Sequence, residues 1–109
     1  HKTKNDSIVV IHDSSVNRTS ADDVIGKIAE MNYSDLATIN VGYPTKYGDT
    51  YKNEKIPTLR EALELAKGKI KVCIEIKAYG AEKEILKIVN ELGMKDEVII
   101  FSFYYHNSY

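Results

Sequence analysis

Three short apolar runs, residues 8–11, 70–76 and 98–101, alternate with stretches that carry helical spacing, and this alternation constrains the fold more than any other feature. Val and Ile dominate the runs, which suits strands covered on both faces, as in a parallel sheet flanked by helices. Between them, apolar residues recur three and four apart, the period of a helix that buries one face. Strand, helix, strand, helix, strand in that order predicts an α/β domain with parallel crossovers. In such sheets, functional groups gather outside the carboxyl ends of the strands.

The first predicted strand covers residues 8–13, after a polar turn Lys4-Asn5-Asp6-Ser7. Residues 14–23, rich in Ser, Asn and Asp, fit a loop leading to a weak helical start, and Ser34-Asp35-Leu36 can open a short helical turn. The Tyr- and Lys-rich residues 42–55 show no period and predict a long irregular excursion, the kind that is usually functional or mobile. Thr58 and Glu61 then form a capping box, each side chain placed to satisfy the other's backbone amide, ahead of an apolar face of Leu59, Ala62, Leu63 and Ala66. Gly68 ends that helix. In the second strand Val72, Ile74 and Ile76 share one face, while Cys73, Glu75 and Lys77 share the other. A helix over residues 82–92 should turn Ile85, Leu86, Val89 and Leu92 to the sheet, and the third strand runs into Ser102-Phe103. Aromatic patches at residues 43–51 and 104–109 fall in a loop and at the terminus.

A chain of 109 residues makes one domain that can bury a core without cross-links. The lone Cys73 sits in an apolar run and is expected to be a small buried hydrophobe. Fifteen basic and sixteen acidic residues give a formal charge of −1 with no block of either sign, which argues against a nucleic-acid or polybasic membrane surface. No apolar stretch reaches the about 20 residues that span a bilayer, and the first residues hold no hydrophobic signal core, so no transmembrane segment or address is expected. The chain is expected to be soluble, with the cytoplasm marginally favoured. It lacks an initiator Met and reads as cut from something longer. Gly26 and Gly42 stand alone, so there is no Gly-rich phosphate loop of a flavodoxin-like nucleotide binder.

His12-Asp13 closes the first run, Arg18-Thr19 follows five residues later, and Glu75 and Lys77 emerge on one side at the end of the second. If the two runs lie parallel in one sheet, His12, Glu75 and Lys77 converge at one mouth. Their chemistry suits cleavage of a phosphate ester: a carboxylate to hold a hard divalent cation, a lysine to neutralise non-bridging oxygens, and an imidazole to move a proton. Each also has a plain structural reading. Glu75-x-Lys77 can be a solvated ion pair, and His12-Asp13 a turn in which Asp bonds the backbone. Arg18 can make a loop salt bridge as readily as face a phosphate. His1 and His106 are not candidates.

Taken in order, these pieces resemble the glycerophosphodiester phosphodiesterase family. Thr3-Lys4-Asn5-Asp6 with residues 8–13 is similar to its "TKDG…VVxHD", and Asn17-Arg18-Thr19 to its "DRTT". Residues 56–61 are similar to its "IPTLEE", residues 73–77 to its "xIEIK", and residues 100–103 to a strand ending in Ser-Phe. The resemblance implies a partial TIM (β/α)8 barrel of the PLC-like phosphodiesterase type, with residues 1–109 as a fragment of a single domain. It implies hydrolysis of small-molecule glycerophosphodiesters, such as glycerophosphocholine, to an alcohol and glycerol 3-phosphate, with a divalent cation, calcium or magnesium. By position His12 matches the second of two catalytic histidines, Glu75 the third carboxylate ligand of the metal, and Lys77 the lysine on the substrate phosphate. Arg18 is carried as a substrate-binding candidate. The family's "HRG" and "ExD" motifs, which hold the first histidine and two metal ligands, belong before His1, and the later barrel strands follow Phe103. The expectation is therefore an active parent protein and an inactive isolated segment, whose open sheet edges favour self-association. The alternative is a non-catalytic anion-binding or assembly segment.

Overall fold

The computed structural model describes residues 1–102; Phe103, His106 and the aromatic patch at 104–109 lie outside the described residues. Its regular elements are α1 (Tyr33–Leu36), α2 (Pro44–Tyr47), α3 (Leu59–Ala66), β1 (Val72–Ile76), α4 (Glu82–Glu91) and β2 (Val98–Ser102), with a 3₁₀ turn at Ile28–Glu30 ahead of them. β1 and β2 pair in parallel, Val72 opposite Val98 through Ile76 opposite Ser102, and α4 makes the crossover between them. This β-α-β unit is the one that the period-2 and period-3.6 patterns of residues 70–101 predict.

The capping box of α3 is formed as the sequence predicts. The Glu61 amide donates to Thr58 Oγ1 (3.1 Å), and the Thr58 amide donates to Glu61 Oε1 (3.0 Å). Those bonds satisfy donors that a helix start otherwise leaves open, and the bonds that the Glu61 carboxylate accepts from the Thr58 amide and hydroxyl hold it below its ordinary pKa. Leu59 and Leu63, four apart, are buried by α3, and Ile85 and Val89 by α4. Arg60 and Glu91 tie the two helices by an ion pair at the surface. Leu86, expected to face the sheet, is instead 51% exposed. It stands one position past Ile85, about 100° further around the helix, and Ile88 takes the place beside the core.

The first predicted strand is not a strand. Residues 8–13 run extended but make only single antiparallel bridges, Ile8 with Lys2 and Val9 with Thr58, and the sheet proper has two strands. On one side the partner segment breaks off at the polar turn, where Asp6 has a φ of 65°. On the other, Pro57 has no N–H to donate and α3 starts at Leu59, so the ladder stops after the Val10 amide reaches the Pro57 carbonyl (3.0 Å) and the Leu59 amide reaches that of Ile8 (2.8 Å). The sheet is also covered on one face only. Ile76 is buried and Val72, Ile74, Val98 and Ile100 pack beside α3 and α4, whereas Cys73, Glu75, Ile99 and Phe101 lie on the exposed face. Cys73 is thus exposed rather than buried, because its alternation with Val72 and Ile74 places it away from the helices.

Two apolar clusters result. One joins Ile8 to Leu59, Leu63, Ile76, Ala81, Ile85, Val89 and Met94. The other joins Val9 to Val16, Ile28, Leu36, Ile39 and Ile56. No helix among the described residues is long and apolar enough to cross a membrane.

Replacing Thr58 by Ala removes the side-chain half of the box, the acceptor of the Glu61 amide, and should lower stability by about 1 kcal/mol. The urea midpoint of the protein checks this, and Thr58→Ser should retain most of the wild-type value.

Candidate active site

The extended segment ends by presenting His12, Asp13 and, after one turn of loop, Arg18. Arg18 donates from Nε to Asp13 Oδ2 (2.8 Å) and from Nη2 to Asp13 Oδ1 (3.1 Å). The other short contact of Asp13 Oδ1 is to His12 Nδ1, at 2.8 Å. The hydrogen bonds from Arg18 and, next, from His12 hold the Asp13 carboxyl far below the usual carboxylate range, and Asp13 in turn raises the pKa of Arg18. An ionised carboxylate only accepts. His12 Nδ1 must therefore carry the proton and donate it to Asp13, which fixes the tautomer and leaves Nε2 available for proton exchange. The imidazole is 79% exposed, open to a reactant in solution.

Lys77 follows β1 and reaches back, its Nζ donating to the His12 carbonyl at 3.2 Å. The His1 ring also contacts that carbonyl, through Nε2 at 3.3 Å. A cavity of about 180 Å³ separates residues 8–11 from β1, with Glu75 and Lys77 on its wall and Leu63 and Ile85 behind. The expected convergence is therefore partial. Lys77 meets His12 through the main chain, Glu75 shares a cavity wall with Lys77, and the His12 ring is engaged with Asp13 rather than with either of them. The resemblance gave Asp13 no role, yet it organises the site. The signal was present in the His-Asp dipeptide, because an adjacent carboxylate is within reach of Nδ1, but the same pair reads equally well as a turn.

Glu75 contributes one carboxylate. Among the described residues, no three His, Cys, Asp or Glu side chains lie together so as to hold a metal ion. Calcium takes six to eight oxygens, and magnesium wants near-octahedral ones. The described donors do not fit a divalent cation by themselves.

Comparison with known proteins adds a family. A model of the glycerophosphoryl diester phosphodiesterase family matches residues 1–106. The chain is 33% identical over 111 residues to the glycerophosphodiester phosphodiesterase of Caldanaerobacter subterraneus, covering 96% of this chain and 44% of that protein. With glycerophosphodiester phosphodiesterase 1 of Bos taurus it shares 31% identity over 86 residues, 76% of this chain and 25% of that one. The crystal structure of a glycerophosphodiester phosphodiesterase from Agrobacterium tumefaciens superposes with a TM-score of 0.82 at 28% identity, over 94% of this chain and 42% of that one. A Parabacteroides distasonis enzyme of the same description gives a TM-score of 0.75 at 27% identity, over 92% and 33%. The chain thus spans less than half the length of each. These neighbours are TIM-barrel enzymes, and the α/β unit described above is a part of such a barrel.

The Asp13 carboxylate is the element to perturb. Because its folded-state pKa is depressed, it contributes stability above the ordinary aspartate value of about 3.9, and that contribution is lost as pH falls from there toward the folded value. Asp13→Asn should flatten this part of the acid limb of an unfolding profile. In nitrogen NMR at alkaline pH it should also release His12 from the Nδ1–H tautomer into a mixture.

Proposed function

This chain belongs to the glycerophosphoryl diester phosphodiesterase family, and on that premise we propose that the protein carrying it hydrolyses glycerophosphodiesters to an alcohol and glycerol 3-phosphate. The observation that carries the reading is the His12–Asp13–Arg18 relay with Lys77 against the His12 carbonyl. Water adds to phosphorus, the P–O bond to the alcohol breaks, and His12 Nε2 serves as general acid or base for the reacting oxygen. Asp13 is a positioning residue: it sets the tautomer and stabilises the imidazolium. The Lys77 ammonium neutralises a non-bridging oxygen as negative charge builds up. Arg18, held by Asp13, borders the substrate rather than reacting.

The proposal extends to dependence on a divalent cation, calcium or magnesium. Glu75 gives one ligand, and the remaining oxygens come from outside the described residues. In the full-length protein, assayed with a glycerophosphodiester, His12→Ala should lower kcat by about 10²- to 10⁴-fold, the usual range for a lost general acid or base. Full activity of that variant would overturn the assignment. Chelation should abolish turnover, and Glu75→Gln should raise the cation concentration needed for half-maximal rate.

Residues 1–109 alone should give no turnover, since one carboxylate cannot hold the cation. A second reading, an assembly segment, draws on the exposed sheet face. Ile99 on that face is 64% exposed and Val10, on the extended segment outside the sheet, 44%, and apolar surface of this kind favours association. The isolated segment should therefore elute in gel filtration as more than a monomer.

A further inference from the structure

Beyond the reacting groups lies a feature that the relay does not use. Residues 42–54 form a closed excursion whose ends are tied by the Val41 amide donating to the Glu54 carbonyl (2.8 Å). Its base is fixed to the segment that carries Arg18: the Tyr43 amide donates to the Thr19 carbonyl (3.0 Å), and the Ala21 amide to that of Asn40 (2.9 Å). At Gly42 a Cβ would stand 2.2 Å from the Tyr51 carbonyl oxygen, so only glycine lets the two arms close. The next residue, Tyr43, sits at φ 54° and ψ 60°, a left-handed conformation unusual for a bulky side chain. Strain of this kind persists where the surroundings over-determine it, and it clusters at binding sites.

The closure stacks three tyrosines edge to face, Tyr43 with Tyr47 at 5.9 Å and Tyr47 with Tyr51 at 5.3 Å between ring centres. Two cations already cover ring faces. The Arg18 guanidinium lies 5.4 Å from the centre of Tyr43, and the Lys46 ammonium 5.4 Å from that of Tyr47. These side chains and Glu54 line an open depression of about 340 Å³. Lys46 and Glu54 form no ion pair among the described residues. Arg18 thus serves two places at once: it anchors Asp13 of the relay and forms a wall of this depression.

We propose that the depression receives the alcohol half of the substrate, and that it selects polyhydroxylated alcohols of the glycerol or inositol type over quaternary-ammonium alcohols such as choline. This rests on the phosphodiesterase reading above. A quaternary ammonium is recognised by open aromatic faces in a region free of competing positive charge. Here Arg18 and Lys46 already occupy the faces of Tyr43 and Tyr47, so a third cation finds neither free. A polyol finds what it needs: Lys46 to donate, Glu54 to accept, tyrosine hydroxyls to do either, and ring edges against its C–H groups.

The test uses the full-length protein with glycerophosphoglycerol, glycerophosphoinositol and glycerophosphocholine. The expected ratio of kcat/KM for either polyol ester over the choline ester is about tenfold, the size of one hydrogen bond to a charged group. Lys46→Ala and Tyr47→Phe, both at exposed positions, should narrow that ratio mainly through KM. Equal rates on all three esters, or ratios unchanged in both variants, would overturn the proposal. A binding measurement separates it from the hydrolytic reading. The His12→Ala protein, titrated with glycerophosphoinositol, should show saturable amide NMR shifts at Tyr43, Lys46 and Tyr47 that glycerophosphocholine does not produce. Such shifts without turnover by the wild type would remove the hydrolase and keep the subsite. Shifts that are absent, or the same for both esters, would remove the subsite whatever the turnover.

Discussion

Ile8 and Val9 point to opposite sides of one extended segment, and each enters a different core. Ile8 packs with α3, α4 and β1, while Val9 packs with the loop-rich half built on Val16, Ile28 and Leu36. Their backbone is bonded on both flanks, the Val9 amide to the His1 carbonyl (2.9 Å) and the Ile8 carbonyl to the Leu59 amide. A one-residue slip would swap the two side chains between cores. Because His12 and Asp13 follow directly, the burial that sets this register also sets where the imidazole stands. Site and core are held by the same few residues.

A single ionised carboxylate then orders what lies outside the cores. Asp13 binds His12 on one side and Arg18 on the other, and Arg18 covers Tyr43. The path from the His12 imidazole to the aromatic loop therefore runs through three contacts, with one negative charge between an imidazole and a guanidinium. The exposed salt bridge matters less for stability than for geometry, since solvent screens its energy but not its directional bonds. It selects a tautomer and holds a loop wall at the same time.

The sheet contributes differently. β1 uses one face for the core and leaves Cys73 and Glu75 on the other, in line with Ile99 and Phe101 of β2. In a barrel of the kind its structural neighbours form, both faces of a strand are occupied. The composition of β1 is consistent with that. Val72, Ile74 and Ile76 alternate with residues that are neither a solvated polar face nor a second helix-packing face.

Local pattern alone determined much of this protein. The cap at Thr58 and Glu61, the paired faces of α3 and β1, the crossover through α4 and the short turn at Tyr33–Leu36 all follow from interactions between residues close in the chain, whereas residues 42–55, which show no period, still form one helical turn at Pro44–Tyr47. The candidates His12, Arg18, Glu75 and Lys77 were picked out by motif, and of these the structure joins Lys77 to the His12 carbonyl and leaves Glu75 on the cavity wall. Tertiary structure decided the rest. Residues 8–13 have strand composition, but their partners at Lys2 and Thr58 allow only single bridges, and no local signal records how long a partner is. Cys73 and Leu86 are exposed because helices cover one face of the sheet and one arc of α4, which depends on what packs there and not on hydropathy. The role of Asp13 required Arg18 to fold back on it, and the aromatic cluster required Gly42 to let two arms of a loop meet. Sequence spacing sets local geometry through bonds a few residues long, whereas pairings across the chain exist only once the cores have brought their ends together.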